Sequence, residues 1–260
     1  SCNTYFCTVY KRVIEKYNTP QKGIDNWKSH LTSFGLGNYL GYDLPVGSKG
    51  KIPSSKTYNA KYPNNNWYAT ATISNAIGQG EVLLTPIQMA NFTAAIANRG
   101  WWVRPHMIKN IQDHDTIAKA FEYKNKTSID PKYFDPIIEG MHDVYRDGTA
   151  SFLEIPDIEI CGKTGTAENF KKINGSVKQL TDHSVFVAFA PKDNPKIAIA
   201  VFVENGYWGA RWAGRIASLM IEKYIKGEIT RTDLEAFVLN GSLEEEYNKP
   251  YAGKPFKINQ

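Results

Sequence analysis

The sequence predicts an α+β fold: a helical subdomain followed by an antiparallel sheet packed by a C-terminal helix. Two observations predict it. Apolar residues recur at helical spacing through the N-terminal part of the chain, from Tyr5/Phe6 to Val144/Tyr145. The last third carries apolar runs of strand length, Ile158–Glu168, Ser184–Ala190 and Lys196–Val203, and then a helical pattern over Ala210–Lys226. Helices first and a sheet afterwards is the α+β order.

In order along the chain, Tyr5/Phe6, Val9/Tyr10 and Val13/Ile14 predict a helix over Ser1–Tyr17, which Asn18-Thr19-Pro20 ends. Pro20 opens a second helix with the stripe Ile24, Trp27, Leu31 and Phe34. Gly35–Asn66 is rich in Gly, Pro, Ser, Asn and Lys, and reads as a long functional loop. Thr85-Pro86 starts a helix that runs to Asn98 and stops at Gly100. It is apolar on most faces, which predicts burial. Trp101–Ile111 reads as extended. Asp130-Pro131 caps a helix with Phe134, Ile137/Ile138, Met141 and Val144/Tyr145 on one side, ending at Gly148.

The unbroken apolar runs of the last third predict strands buried on both faces, with Pro191–Pro195 joining two of them as a hairpin. The following helix directs Ala213, Ile216/Ala217, Met220/Ile221 and Tyr224 at the sheet. After Thr230 the chain is polar and reads as peripheral.

The chain has 260 residues, 42% hydrophobic and 22% charged, enough for one sizeable core or two small ones. The net charge of +5 suits an anionic substrate or surface, but the charges are scattered, which argues against nucleic acid. Cys2 and Cys7 fall on different sides of one helix and cannot pair, so these and Cys161 read as three buried thiols. No Cys or His spacing matches a zinc site, and no cofactor is implied. The longest apolar runs, Val185–Ala190 and Ile197–Val203, are far shorter than the ~20 residues of a spanning helix.

The richest chemistry lies at Cys161-Gly162-Lys163-Thr164-Gly165-Thr166. Gly162-Lys163-Thr164 is not a phosphate loop, because that motif needs glycine where this chain has Asp157, and a helix after the Lys-Thr. On a strand, by contrast, Lys163 supplies positive potential and Thr164 and Thr166 offer hydroxyls to a carboxylate. Gly165 lets a ligand approach the backbone. The Thr166 N–H is then placed as one half of an oxyanion hole.

Lys163-Thr164-Gly165-Thr166, with Ser1-Cys2-Asn3 far upstream, resembles two motifs of penicillin-binding proteins and serine β-lactamases. Gly78-Gln79-Gly80-Glu81, Leu84–Ala90, Arg146-Asp147-Gly148-Thr149-Ala150, Asp182-His183-Ser184 and Ala188-Phe189-Ala190-Pro191 are similar to class B peptidoglycan transpeptidases. The likeness runs from Ser1 to Lys226, and is strongest to the elongation-type, penicillin-binding protein 2-like branch.

The resemblance implies a β-lactamase/transpeptidase-like fold, N-terminally truncated, with residues 1–230 a partial transpeptidase domain and 231–260 a polar tail. It implies Ser1, Asn3 and Thr166 as catalytic residues. Ser1 would relay protons to the leaving group and Asn3 would hold the substrate amide, while Lys163, Thr164, Gly165 and Thr166 would bind substrate. Peptidoglycan stem peptides and β-lactams are the implied ligands, and cell-wall elongation proteins the implied partners. The implied location is the extracytoplasmic side of the cell membrane, through an anchor upstream of this chain.

The family's nucleophile sits in a Ser-x-x-Lys motif at a helix start, before Ser-x-Asn. The one formal match, Ser48-Lys49-Gly50-Lys51, falls in a Gly/Pro-rich loop where no helix can align serine and lysine, so the motif is expected to lie outside this chain. His183 and Ser184 are adjacent on a strand, point to opposite faces and cannot act as base and nucleophile. A serine β-lactamase or D,D-carboxypeptidase, a penicillin-sensing domain and an inert fragment are the alternatives. A chain lacking its nucleophile helix is expected to expose apolar surface and to self-associate.

Overall fold

The helical periodicity at the N-terminus becomes α1 (Asn3–Glu15) and α2 (Pro20–Ser33). Pro20 takes the first helical position, and Thr19 Oγ1 accepts from the Lys22 N–H at 3.3 Å, which satisfies one of the free donors of that end. The computed structural model describes residues 2–41, 43–108 and 121–247. It divides into two units, Ser1–Ala95 with Gly100–Asp130, and Ile96–Arg99 with Pro131–Gln260.

In the first unit Tyr10, Ile14, Ile24, Tyr58, Trp67 and Ala69 form a core, with the Tyr10 ring edge-on to Trp27. The other apolar positions of α1, Tyr5, Phe6, Val9 and Val13, are exposed. The stretch expected as one long loop is more structured than its composition suggested. It contains α3 (Ser55–Asn59), held to α2 where Asp25 accepts from the Ser55 N–H (2.8 Å) and hydroxyl (2.6 Å), and it buries Ile52 and Tyr58.

Helix α4 (Pro86–Ala97) follows, as expected from Thr85-Pro86. Its buried positions include the polar Gln88, Asn91 and Thr93, while Ile87 is exposed. Gln88 Nε2 donates to the carbonyls of Asn38 and Lys49, both at 2.9 Å, and so pins the preceding loop. Beyond it, β1 (Trp101–Trp102) pairs antiparallel with β2 (Asn125–Lys126). Part of the extended stretch expected over Trp101–Ile111 lies outside the described residues.

The second unit opens with a 3₁₀ turn at Pro131–Tyr133 and α5 (Phe134–Arg146), whose buried face is Phe134, Ile138, Met141 and Tyr145. Its sheet has the order β3-β4-β5, all antiparallel: β3 (Cys161–Ile173), β4 (Ser176–Ala190) and β5 (Ile197–Val203). The β3–β4 hairpin is longer than the sequence reading gave. Asn174 (φ 51°) and Gly175 (φ 81°) turn it with both residues left-handed, the conformation of a type I′ turn. Pro191–Pro195 connects β4 to β5, as expected.

Burial on both faces was expected of every strand; it is not found for β3, where only Cys161 and Gly162 are buried, nor for β5. Ile199 is its one buried residue and Phe202 is 40% exposed. Among the described residues β5 pairs only with β4, so one strand edge lies open. Leu153, Ile160, Phe186, Ala188 and Ala190 pack with Ala213, Ala217 and Ile221 as the core.

A π turn at Ala210–Gly214 leads into α6 (Arg215–Lys226). Met220 and Tyr224, expected against the sheet, are exposed at 52% and 64%; the buried positions of α6 are Ala217, Ser218, Leu219, Ile221 and Glu222. The stretch expected as a polar tail from residue 231 contains α7 (Thr232–Asn240) and α8 (Glu244–Tyr247). Glu246 of α8 is buried and accepts from Arg211 and from Trp212 Nε1 (2.9 Å). Buried Glu222 accepts from Thr230 Oγ1 at 2.6 Å and Arg231 Nε at 2.9 Å. The expectation of three buried thiols is corrected: Cys161 is buried, Cys7 half-buried and Cys2 exposed. Among the described residues no helix is long and apolar enough to cross a membrane.

Candidate functional site

Lys163, Thr164, Gly165 and Thr166 lie near the start of β3, the outer strand of the sheet among the described residues. Paired with β4 on one side only, β3 presents its other backbone edge to an incoming extended chain. Alternation along the strand puts Thr164 and Thr166 on one face and Lys163 and Gly165 on the other.

The threonine face is anchored from two sides. Thr149, three residues after the end of α5, lies with its hydroxyl 2.9 Å from that of Thr164. Thr166 stands opposite Ser184 in the β3–β4 register, and its Oγ1 accepts from the Gly209 N–H at 3.1 Å. Ser184 is buried. Its hydroxyl donates to the Gly209 carbonyl at 2.9 Å and accepts from the Ala213 N–H at 3.1 Å.

Residue 209 has to be glycine for this clamp to close. A Cβ there would stand 2.4 Å from the Gly165 carbonyl oxygen, well inside contact distance. The loop before α6 therefore lies directly on the backbone of the Lys-Thr-Gly-Thr strand.

Lys163 is half-buried, and burial lowers its pKa from the ordinary lysine value. Its ammonium donates to the Thr164 carbonyl at 2.7 Å, a neutral partner, so its charge is not cancelled by an acid in that bond. A desolvated cation 3.5 Å from the Thr164 hydroxyl, on a strand with an open edge, is suited to an anionic peptide end. Buried Cys161, two residues before, is a poor nucleophile, since burial pushes its thiol up to about 12.

Asn3, in the first unit, is exposed at the first position of α1. Ser1 lies outside the described residues. Ser48-Lys49-Gly50-Lys51 is not helical; Ser48 Oγ accepts from the Gly50 N–H at 3.3 Å and the segment continues into a bridge between Lys51 and Leu83. His183 has a structural role, as expected. Its Nδ1 accepts from the Asn205 N–H at 3.0 Å, and its ring lies against Phe202, on the side of the strand away from Ser184.

Glu81 of the Gly78-Gln79-Gly80-Glu81 segment anchors the first unit. It accepts from Tyr58 OH at 2.5 Å and from Lys61, while Asn75 Nδ2 donates to the same phenol at 2.8 Å. Burial alone would raise the Glu81 pKa, but the bonds from Lys61 and Tyr58 outweigh it and hold the carboxyl below its usual range. Among the described residues no three His, Cys, Asp or Glu side chains gather as metal ligands would.

Sequence reasoning gave no role to Thr149, Ser184 or Gly209. Thr149 and Ser184 fell inside the family-like segments and could have been found there. Gly209 carried no signal, since its need comes from a contact across the fold.

Comparison with known families matches residues 1–222 to the penicillin-binding protein transpeptidase domain. The chain belongs to this family. The peptidoglycan D,D-transpeptidase MrdA of Acinetobacter baumannii is 35% identical over 219 residues, which cover 80% of this chain and 31% of that relative. MrdA of Escherichia coli is 30% identical over 226 residues, 82% of this chain and 35% of the relative. The chain thus spans about a third of the length of these relatives. Among solved structures, penicillin-binding protein 2 of Pseudomonas aeruginosa in complex with WCK 5153 superposes with a TM-score of 0.69 at 28% identity, over 88% of this chain and 47% of that one. The penicillin-binding protein 2–MreC complex of Helicobacter pylori gives 0.66 at 28%, over 86% and 38%. The α+β arrangement read from the sequence is the fold of this transpeptidase family.

Proposed function

We propose that this chain carries the substrate-binding strand of a peptidoglycan D,D-transpeptidase that cross-links stem peptides in cell-wall elongation. The observation that carries the proposal is the strand Lys163–Thr166. It has an open edge, a half-buried cation, and hydroxyls fixed by Thr149 and Gly209. The likeness to MrdA and penicillin-binding protein 2 supports the elongation type.

In the proposed reaction a serine adds to the carbonyl of the penultimate D-Ala of a stem peptide. The bond to the terminal D-Ala then breaks, and that residue leaves as an amine, with its proton relayed through the Ser1 hydroxyl. An amine of a neighbouring stem attacks the acyl-serine, forms the cross-link and returns the serine. Lys163 and the hydroxyls of Thr164 and Thr166 hold the terminal carboxylate, and Asn3 holds the substrate amide. The Thr166 N–H stabilises the oxyanion, a donor whose loss costs about 10²–10³ in rate.

The attacking serine belongs to a Ser-x-x-Lys motif outside these 260 residues; the non-helical setting of Ser48 supports this. β-Lactams would mimic the D-Ala-D-Ala end and acylate the same serine. The place of work is the extracytoplasmic face of the cell membrane. A partner of the MreC kind is suggested by the Helicobacter pylori complex.

The test uses the chain extended upstream through the family's Ser-x-x-Lys motif, a peptide ending in D-Ala-D-Ala, and an amine acceptor. Mass spectrometry should show D-Ala release with a cross-linked product. Release without cross-linking would assign a carboxypeptidase, fast turnover of penicillin a lactamase, and stable acylation with no peptide product a sensor.

A further inference from the structure

The first unit holds a cavity of about 370 Å³ that the transpeptidase reading does not use. One of its walls is the β1–β2 ribbon. Trp102 and Asn125 are direct partners across that ribbon and share a face. Arg104 and Tyr123 stand two residues beyond them, at the period that keeps an extended chain's side chains on the same side. All four line the cavity. Trp101 and Lys126 take the opposite face, where the Lys124 ammonium lies 4.2 Å over the Trp101 ring.

The wall is built rather than incidental. Trp102 Nε1 donates to the Ser33 carbonyl at 3.0 Å, which fixes the indole plane. Gly35 makes room for that indole, since a Cβ there would stand 3.2 Å from Trp102 Cζ2 and 2.6 Å from Leu40 Cδ2. Asn125 Nδ2 donates to the Trp102 carbonyl at 3.4 Å, leaving its Oδ1 as an acceptor. Arg104 makes no ion pair and no side-chain hydrogen bond among the described residues. Asn38 also lines the cavity, with a side-chain amide of its own.

Each component selects part of a ligand. Flat aromatic faces favour the C–H surface of a ring, and amides pair with hydroxyls. A guanidinium without an acid partner among the described residues favours a carboxylate. A bare phosphate would leave the aromatic faces unused, and an apolar ligand would bury Arg104 and the two amides without partners. The volume is near the lower end of the ~300–1,000 Å³ of ligand sites, room for one ring.

We propose that this cavity binds a sugar ring bearing a carboxylate. The choice of ligand class comes from the lining, and the cell-wall reading enters only through the choice of probe. The ring could come from a free sugar or from one unit of a glycan strand.

The experiment is ligand-observed NMR titration of the 260-residue chain with N-acetylmuramic acid, with N-acetylglucosamine as the neutral control, and with a peptide-free strand of the two. The acidic sugar should bind about tenfold or more tighter than the neutral one, the value of one charge-assisted contact. Arg104→Gln should remove that advantage and leave neutral-sugar binding unchanged. Asn125→Asp, which adds a like charge beside the carboxylate, should weaken the acidic sugar selectively. Tighter binding of the strand than of the free sugar would identify a polymeric source, and equal binding a free one. Equal affinity of the wild type for both sugars, an equal loss of both in Arg104→Gln, or no binding of any probe would overturn the proposal. Penicillin acylation of the upstream-extended chain is read separately, so a failure here leaves the transpeptidase reading to its own test.

Discussion

Thr166 and Ser184 face each other across β3 and β4 and hold the two ends of one residue. Thr166 Oγ1 accepts from the Gly209 N–H at 3.1 Å, and Ser184 Oγ donates to the Gly209 carbonyl at 2.9 Å. The loop that leads into α6 is thereby stitched to the Lys-Thr-Gly-Thr strand by its backbone. Any change in the loop is felt at the strand.

Gly209→Ala tests this most sharply. The added Cβ meets the Gly165 carbonyl oxygen at 2.4 Å, and the obstacle is backbone, which cannot rotate away. The expected cost is about 1–3 kcal/mol from overpacking, read as a lower urea midpoint. Penicillin labelling of the upstream-extended protein should fall with it, because Gly165 and Thr166 must shift.

Ser184→Ala removes a hydroxyl that is buried and used twice. The Ala213 N–H and Gly209 carbonyl lose a partner in the interior, at an expected cost of about 1–3 kcal/mol. Chemical denaturation of the variant against the wild type checks it, and an unchanged midpoint would show that the two bonds contribute little.

The pairing of Glu222 with Arg231 and Thr230 predicts an acid-sensitive link between α6 and the chain after it. Burial alone would raise the Glu222 pKa, but the bonds from Thr230 and Arg231 outweigh it and leave the carboxyl below its usual 4.5. A depressed carboxyl pKa contributes stability above the unfolded value and loses it as pH falls through the folded one. Unfolding measured from neutral pH down through 4.5 should therefore lose less stability in Glu222→Gln than in the wild type. Arg231→Ala at neutral pH strands a buried charge and should cost about 3–5 kcal/mol.

Much of this was legible in the sequence, for reasons that differ by element. α1, α2, α4 and α5 followed from apolar spacing, a local signal that survives without tertiary information. The Lys163–Thr166 strand was legible because its two threonines suit a strand and because Asp157 stands where a phosphate loop needs glycine. The outer half of the β3–β4 hairpin was missed although Asn174-Gly175 is a strong turn signal, because its strands are polar and exposed. Met220 and Tyr224 were misplaced because periodicity gives a helix's apolar side but not how much of that side a neighbour covers. Gly209 was beyond reach, since what it does depends on contacts between residues far apart in the chain; Ser184 lay inside a family-like segment, but its bonds to Gly209 and Ala213 were not readable from it.

The most direct measurement is the second-order rate of acylation by benzylpenicillin of the upstream-extended chain, wild type against Lys163→Ala, with folding of both checked by melting. Lys163–Thr166 as the ligand-binding strand predicts a fall of about 10²–10³, the scale of losing one preorganised charge at the reacting group. Acylation of the folded variant within about twofold of the wild type would contradict it.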